Sequence, residues 1–139
     1  SPILIYSPKL LKMHDKHLYE YAVIRIVPQV EREEFFNVGV VVYCKRPRFI
    51  GMQYQLDPKK LAAFCPELDV EQVQKNLDAF KAICSGAPKG GPIAQLEAAE
   101  RFRWLTATRS SVIQTSKTHP GFAEDLEVTL EKLFEDLVL

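Results

Sequence analysis

The sequence LYEYAVIRIVPQVEREEFFNVGVVVYC, residues 18–44, decides the fold. Two segments within it, Leu18–Val30 and Phe36–Cys44, are rich in the β-branched and aromatic residues that favour strands. The charged segment Glu31–Glu34 separates them and predicts a hairpin connection. Both faces of the first strand are largely apolar, with Tyr19, Tyr21, Val23, Arg25 and Val27 on one face and Ala22, Ile24 and Ile26 on the other. Two apolar faces are typical of a central strand that helices cover on at least one side.

The returning strand carries a glycine between valines. Alternation predicts Val38, Val40 and Val42 on one face, with Asn37 and Gly39 on the opposite face. A glycine inside a strand indicates a bulge, or a backbone that another group approaches closely. We therefore expect an irregularity near Gly39.

The rest of the chain predicts one more strand of this sheet and then mainly helices. The expected elements are a strand Phe49–Leu56, a helix Pro58–Phe64 capped by Asp57, a helix from Asp69 to Gly86, a helix Ile93–Trp104, a short strand Ser111–Thr115, a turn His119–Gly121, and a final helix with Phe122, Leu126, Leu130, Leu133 and Leu137 on one face. This order predicts an α+β fold, in which a three- to four-stranded, mainly antiparallel sheet is covered by three or four helices.

Composition excludes two broad classes of protein. Of 139 residues 47% are hydrophobic, and 18 Lys and Arg balance 18 Asp and Glu. Disordered chains are less apolar and carry more net charge, and a membrane helix needs about 18 consecutive apolar residues. We expect a single domain from residue 13 to residue 139. Residues 1–12 are interpreted as an extension or cloning remnant, mobile or held only by a partner.

Neither a metal centre nor a catalytic motif is predicted. The three cysteines, Cys44, Cys65 and Cys84, are odd in number and widely spaced, which favours reduced thiols in the cytoplasm. His14 and His17 have a ligand-like spacing but lie in the loose amino end, and His119 is interpreted as a turn residue. The sequence has no glycine-rich phosphate loop, nucleophile elbow or helix-turn-helix signature. These features favour a non-enzymatic protein without a cofactor.

The first candidate site is a cluster at the hairpin, formed by Arg25, Arg32, Glu33, Glu34 and Asn37. Arg25 has apolar neighbours and therefore needs a partner for its charge. One interpretation is structural, an ion pair with Glu33 or Glu34 that sets the strand register. The other is functional, a guanidinium that binds a ligand carboxylate or phosphate with help from the Asn37 amide.

The second candidate is a basic, hydroxyl-rich stretch from Arg101 to Ala123 that has no acidic residue. Its proposed binding residues are Arg103, Arg109, Ser110 and Ser111, and Trp104 offers a stacking surface. A phosphate-bearing ligand or single-stranded nucleic acid fits this composition, although a charge of about +4 is modest for nucleic acid. The alternative is an ordinary polar loop beside a solvated helix.

The third candidate is the acidic final helix, whose charge is about −5 between Glu124 and Leu139. It is either a solvated helix face or a docking site for a basic partner protein. The sequence also permits a homodimer through Tyr19, Tyr21 and the valine-rich strand face. A membrane partner is not expected.

Two stretches resemble an uncharacterised bacterial family, domain of unknown function 3037. The first comprises YAVIRIVP at 21–28 and EREEFFNVGVV at 31–41, and the second comprises RFRWLT at 101–106 and RSSVIQTS at 109–116. The resemblance extends over Met13 to Leu139. It implies a small bacterial protein with no established activity, often encoded beside a kinase that resembles the toxin of HipA-type toxin–antitoxin pairs.

Two functions follow as hypotheses. The first is a non-enzymatic protein-interaction or regulatory module, with the HipA-like kinase as its partner. The rival is a phosphate-ligand or nucleic-acid binding protein, or an enzyme, that uses the Arg, Ser and Asn residues of the first two candidates. The rival requires these residues to converge on one concave pocket.

Overall fold

The computed structural model describes residues 16–28, 34–107 and 112–139. Its strands are β1 His17–Ile26, β2 Phe36–Cys44, β3 Phe49–Tyr54, β4 Ile113–Thr115 and β5 His119–Ala123. Its helices are α1 Pro58–Phe64, α2 Val70–Ser85, α3 Gly91–Ala94, α4 Ala98–Leu105 and α5 Leu126–Leu137, with a 3-10 turn at Pro88–Gly90 before α3.

One antiparallel sheet organises the fold, and β1 is its central strand. β2 pairs with one side of β1 and then with β3, while β4 and β5 pair one after the other with the opposite side of β1. The predicted α+β class, the antiparallel sheet and the central position of β1 are confirmed. Across the described residues there are five strands and five helices, more than the three or four predicted of each.

A bulge interrupts β2 where the sequence places Gly39. Ile24 pairs with Gly39 and Arg25 with Asn37, so Val38 has no partner residue on β1. The extra residue shifts the alternation of side chains. Val38 therefore packs on one face of the sheet, and Val40 and Val42 pack on the other. The predicted irregularity is confirmed, whereas the single face predicted for Val38, Val40 and Val42 is wrong.

Helices cover both faces of the sheet. On one face, the larger core joins Ala22, Ile24 and Ile26 of β1 to side chains of the first four helices, including Leu61, Leu77, Ala94 and Phe102. On the other face, α5 packs against β2 and β3 and covers Tyr19, Val40 and Val42. The apolar residues on both faces of β1 are thus explained by burial on both sides.

Most helix boundaries follow the predicted caps. The Asp57 carboxylate accepts hydrogen bonds from the N–H groups of Lys59 and Lys60 at the start of α1, and the Asp69 carboxylate accepts one from Gln72 N–H at the start of α2. Gly86 ends α2 with a left-handed φ of 72°, a conformation that a glycine adopts without steric cost.

Two predictions after α2 are wrong. The helix predicted over Ile93–Trp104 is broken between Ala94 and Ala98, and Leu96 is exposed in the break. The segment His119–Gly121, predicted as a turn, begins β5, because a proline is tolerated on an edge strand. Phe122 consequently belongs to this strand and not to the apolar face of the final helix.

Candidate functional site

Three polar residues lie side by side across the sheet. Arg25 of β1 pairs with Asn37 of β2 on one side and with Gln114 of β4 on the other. Directly paired residues in an antiparallel sheet point to the same face. This face is the one that α5 covers, because Arg25 alternates with Ile24 and Ile26, which pack under the other helices. The sheet thus brings together residues that are far apart in the sequence.

The guanidinium of Arg25 is half-buried under an aromatic ring. Its central carbon lies 4.3 Å from the centre of the Phe35 ring, a cation–π contact. Its Nε is buried and has no hydrogen-bond partner in the described parts of the chain. Of the predicted neighbours, Glu34 is exposed, and Arg32 and Glu33 lie outside the described residues. The ion pair at the hairpin therefore stays a prediction.

The Asn37 amide is half satisfied. Its Nδ2 donates to the main-chain oxygen of Leu137 at the end of α5, over 3.0 Å. Its Oδ1 is buried, and the described residues provide no donor for it. Asn37 also lines a cleft of about 230 Å³, together with Gln55, Asp57, Lys60, Leu61 and Val138 among others. One of the two Nδ2 N–H groups is used by Leu137 and the buried atom without a partner is Oδ1, so the unmet need of Asn37 is for a donor and not for the anion that was expected.

The described arginines of the basic stretch do not lie beside Arg25. Arg101 is used inside the fold, because its guanidinium donates to the main-chain oxygens of Ile83, Cys84 and Leu96. Arg103 is exposed on α4, in the helical layer on the opposite face of the sheet from Arg25. Arg109, Ser110 and Ser111 lie outside the described residues. A single pocket containing Arg25 and Arg103 is therefore not formed.

A second, polar cleft lies where β4 and β5 are interrupted. It measures about 460 Å³ and is lined by Thr106, Ala107, Gln114, Thr115, Ser116, Lys117 and Thr118. Several hydroxyls of the basic stretch therefore do face one cleft. Ser116 is already engaged, since its hydroxyl accepts from Val23 N–H and donates to the Lys117 oxygen.

The sheet leaves an apolar pair uncovered at the outer end of β1. Leu18 and Phe122 are directly paired between β1 and β5 and are 58% and 65% exposed. On the other face of the same strands, a groove of about 260 Å³ lies between β5 and α5, lined by Tyr19, Phe122, Thr129, Lys132, Leu133 and Asp136. Burial, together with the nearby Tyr21, raises the pKa of Tyr19 above its ordinary value. We call Leu18, Phe122 and this groove the β5 surface.

The β5 surface adjoins the acidic pole of the molecule. The carboxylates between β5 and the end of α5 all lie on exposed residues, namely Glu124, Asp125, Glu127, Glu131, Glu135 and Asp136. In the described ranges, none of them lies within 4 Å of a Lys or Arg nitrogen. The acidic and basic regions of the sequence therefore do not neutralise each other by ion pairing in this part of the structure.

The sequence interpretation missed Leu18 and Phe122. Alternation places Leu18 on the face of Ala22 and Ile24, but no local signal shows that the helices stop short of it. The proline and glycine at 120 and 121 predicted a turn, which hid the strand that pairs Phe122 with Leu18. Of the side chains predicted for a homodimer surface, Tyr19, Val40 and Val42 are buried under α5, and the homodimer itself stays a prediction. His119 lies in β5, where its ring is 5.3 Å from that of Tyr21.

The described residues contain no metal-ligand cluster, no disulfide and no helix that could span a membrane. No three His, Cys, Asp or Glu side chains are grouped there as metal ligands. Cys44, Cys65 and Cys84 are free thiols. Among the described helices, none has the length and apolar character required to cross a membrane.

Comparisons with known proteins identify the family and nothing beyond it. No curated protein and no solved structure matches the chain. A family model described as "Protein of unknown function (DUF3037)" matches residues 21–138, which is nearly the whole chain. The match includes both stretches that carried the resemblance. The chain therefore belongs to the DUF3037 family.

Proposed function

We propose that this protein is a non-enzymatic interaction module that binds a protein partner at the β5 surface. The observation that carries the proposal is the exposed pair Leu18 and Phe122, two large apolar residues that are directly paired at an uncovered end of the sheet. Adjacent exposed apolar residues with a polar rim are typical of protein interaction sites. The groove beside β5 extends this surface.

The exposed carboxylates beside the β5 surface favour a basic partner. They lie in the segment that follows β5 and along α5, and they have no described cation within 4 Å. Complementary charge at the rim of an interface accelerates association and disfavours wrong partners. We therefore expect binding to weaken as the salt concentration rises.

The partner that we propose is the HipA-like kinase that bacterial members of such families often have as a genomic neighbour. Three free thiols agree with a reducing compartment, so we place the complex in the cytoplasm. The regulatory role is part of the same proposal, and its support is the resemblance and the acidic, apolar β5 surface.

A binding titration against the neighbouring kinase tests this function. We expect a Kd below about 10 μM, and at least about a tenfold loss of affinity for Phe122→Asp. The control is Phe64→Asp, which changes a 48% exposed phenylalanine at the end of α1, beside Phe36, and should bind as the parent does. Glu131→Lys with Glu135→Lys should reduce both the affinity and its salt dependence. An unchanged affinity for Phe122→Asp, in a variant that keeps its melting temperature, contradicts the proposal.

A second candidate function, ligand binding at Arg25 and Asn37, is favoured by the two buried atoms without a described partner. Arg25 Nε is a donor and Asn37 Oδ1 is an acceptor, and they belong to directly paired residues. A buried polar atom without a partner is costly, which favours a bound group that satisfies it. The complementary group carries an acceptor and an N–H donor side by side, as a primary carboxamide does. A fully ionised phosphate, which has only acceptors, would be repelled by Asn37 Oδ1.

The side-chain Nε–H resonance of Arg25 in a nitrogen–proton NMR spectrum tests this second function. Acetamide at about 50 mM should shift the resonance, because so small a ligand binds weakly, and inorganic phosphate should shift it less. Arg25→Lys removes the resonance and identifies it. Equal shifts with both probes, or no shift with either, would show that the two atoms do not form this site.

A further inference from the structure

We infer that the partner binds as an added β-strand, pairing antiparallel with the outer edge of β5 opposite Phe122. The inference rests on the proposed function, and it specifies how the partner binds and the chemistry of the segment that is bound. That segment is extended, has an apolar residue opposite Phe122, and has basic residues at the flanking positions. Strand addition to an open sheet edge is a recurring way to bind peptides, in which main-chain hydrogen bonds supply affinity and alternate side chains supply specificity.

The hydrogen bonds of β1 show which main-chain groups of β5 point outward. Val23 O accepts from Ser116 N–H, and Val27 N–H donates to Val112 O, so the odd-numbered residues of β1 face β4 and β5. Leu18 O instead accepts from the Cys44 thiol on the β2 side. Main-chain direction alternates along a strand. Odd-numbered residues of β5 are paired with odd-numbered residues of β1, so the polar groups of Pro120 and Phe122 point away from the sheet.

The outer edge of β5 therefore presents one donor and two acceptors. Phe122 presents its N–H and its carbonyl, and Pro120 presents a carbonyl alone. In the described parts of the chain no strand pairs with this edge. Proline is compatible with this position because its missing N–H would have faced solvent. Proline also blunts an open edge, which restricts pairing to a short segment centred on Phe122.

The neighbouring side chains define the chemistry of the added strand. A residue directly opposite Phe122 would extend the row Leu18–Phe122 and lie on its exposed apolar face. The residues before and after it would point to the opposite face, into the groove beside α5. That groove contains one cation, Lys132, and one anion, Asp136, and it borders the segment from Glu124 to Leu139, whose exposed side chains give it a charge of about −5. Lysine or arginine at these flanking positions matches this charge.

A second copy of the chain fits the edge less well than a basic segment does. Antiparallel pairing of two β5 edges requires a twofold axis perpendicular to the sheet, which places both α5 helices on the same face. The exposed carboxylates of the two helices would then approach each other across the axis and repel. We therefore assign the edge to a heterologous basic segment.

The test uses the whole chain and an acetylated, amidated seven-residue peptide of alternating lysine and valine as the probe. Nitrogen–proton NMR should show saturable shifts of the Phe122 amide, because its N–H becomes hydrogen-bonded. The same peptide with glutamate for lysine should bind at least about tenfold more weakly, and so should a peptide with the central valine N-methylated, which cannot complete the strand pairing. Phe122→Asp should show the same loss, and Phe64→Asp should not.

Three outcomes would overturn the inference. The first is no shift at about 1 mM peptide, a concentration that detects even weak association. The second is equal binding of the N-methylated peptide, which would show side-chain binding without strand addition. The third is a concentration-dependent dimer that buries the Phe122 amide, which would assign the edge to a second copy. If the kinase titration still depends on Phe122 after any of these results, the proposed function stands and only the binding mode is wrong.

Discussion

The hydroxyl of Ser116 accepts a hydrogen bond from the main-chain N–H of Val23, over 2.9 Å, at the point where β4 and β5 are interrupted. The Ser116 N–H donates in return to Val23 O over 2.8 Å. Ser116 thus continues the hydrogen-bond ladder along β1, and its hydroxyl acts as the acceptor that a strand carbonyl would otherwise provide. Among the described residues, Ser116 is the one polar residue that is buried.

Ser116→Ala should lower the free energy of unfolding by about 1–3 kcal/mol, because it leaves the buried N–H of Val23 without an acceptor. Urea denaturation of both proteins measures the difference. The control is Ser85→Ala, which removes an exposed hydroxyl 3.3 Å from the Ala82 oxygen and should change stability by less than about 0.5 kcal/mol. Equal effects of the two substitutions would contradict this role for Ser116.

Gly39→Ala should destabilise the fold by about 1–3 kcal/mol, because the new methyl group overpacks the sheet. A Cβ at this position would lie 2.8 Å from both Gln53 O and Tyr54 Cβ of β3, and main-chain atoms cannot turn away. Gly51→Ala is the matched comparison, since its Cβ meets only the side-chain ends of Phe49 and Leu130. The melting temperature of Gly39→Ala should therefore be well below that of Gly51→Ala. The opposite order would contradict this explanation.

Local signals predicted much of the fold. The caps at Asp57 and Asp69 and the terminator Gly86 act within one helical turn, so the sequence identified them correctly. β5 was missed because its pairing with β1 depends on residues about 100 positions away, whereas Pro120 and Gly121 resemble a turn locally. In the break between α3 and α4, Arg101 donates to the Leu96 oxygen and also to the Ile83 and Cys84 oxygens of α2, and the two contacts with α2 are tertiary and leave no local signal.

The candidate sites could be predicted only in part. Alternation and the hairpin were enough to expect Arg25 and Asn37 on neighbouring strands, and they are directly paired. The bond from Asn37 Nδ2 to the Leu137 oxygen joins residues 100 positions apart, and it leaves Oδ1 as the buried amide atom without a described partner, which no local pattern predicts. The exposure of Leu18 and Phe122 depends on how far the helices extend over the sheet, which cannot be predicted from a local sequence pattern.

Arg101→Met should lower the free energy of unfolding by about 1.5–3 kcal/mol, because three main-chain oxygens lose a charged donor. Two of these oxygens belong to the last turn of α2, where carbonyls have no partner within the helix. The control is Arg103→Met, which changes an exposed side chain of α4, the helix that also carries Arg101. It should change the free energy of unfolding by less than about 0.5 kcal/mol. Chemical denaturation compares them. Kinase affinity should remain at the parent value in both variants, and a selective loss in Arg103→Met would move the interface to α4.

The Cys84 thiol should resist alkylation in the folded protein. Burial raises its pKa to about 11, although Lys81 and Arg101 oppose the shift, so it is neutral at pH 8 and the reactive thiolate is scarce. Cys65, which is only half-buried, should react with iodoacetamide first, and peptide mass spectrometry over time gives the order.

The same shift predicts how stability depends on pH. The folded pKa of Cys84 lies above the value of 9.0 for a free thiol, so the folded state holds its proton more tightly. The contribution of the protonated Cys84 thiol to the free energy of unfolding is complete below pH 9 and is lost as the pH rises towards 11. Urea midpoints measured from pH 8 to 11 should therefore fall for the parent and fall less for Cys84→Ala. Parallel curves for the two proteins would show that this thiol is not shielded from water.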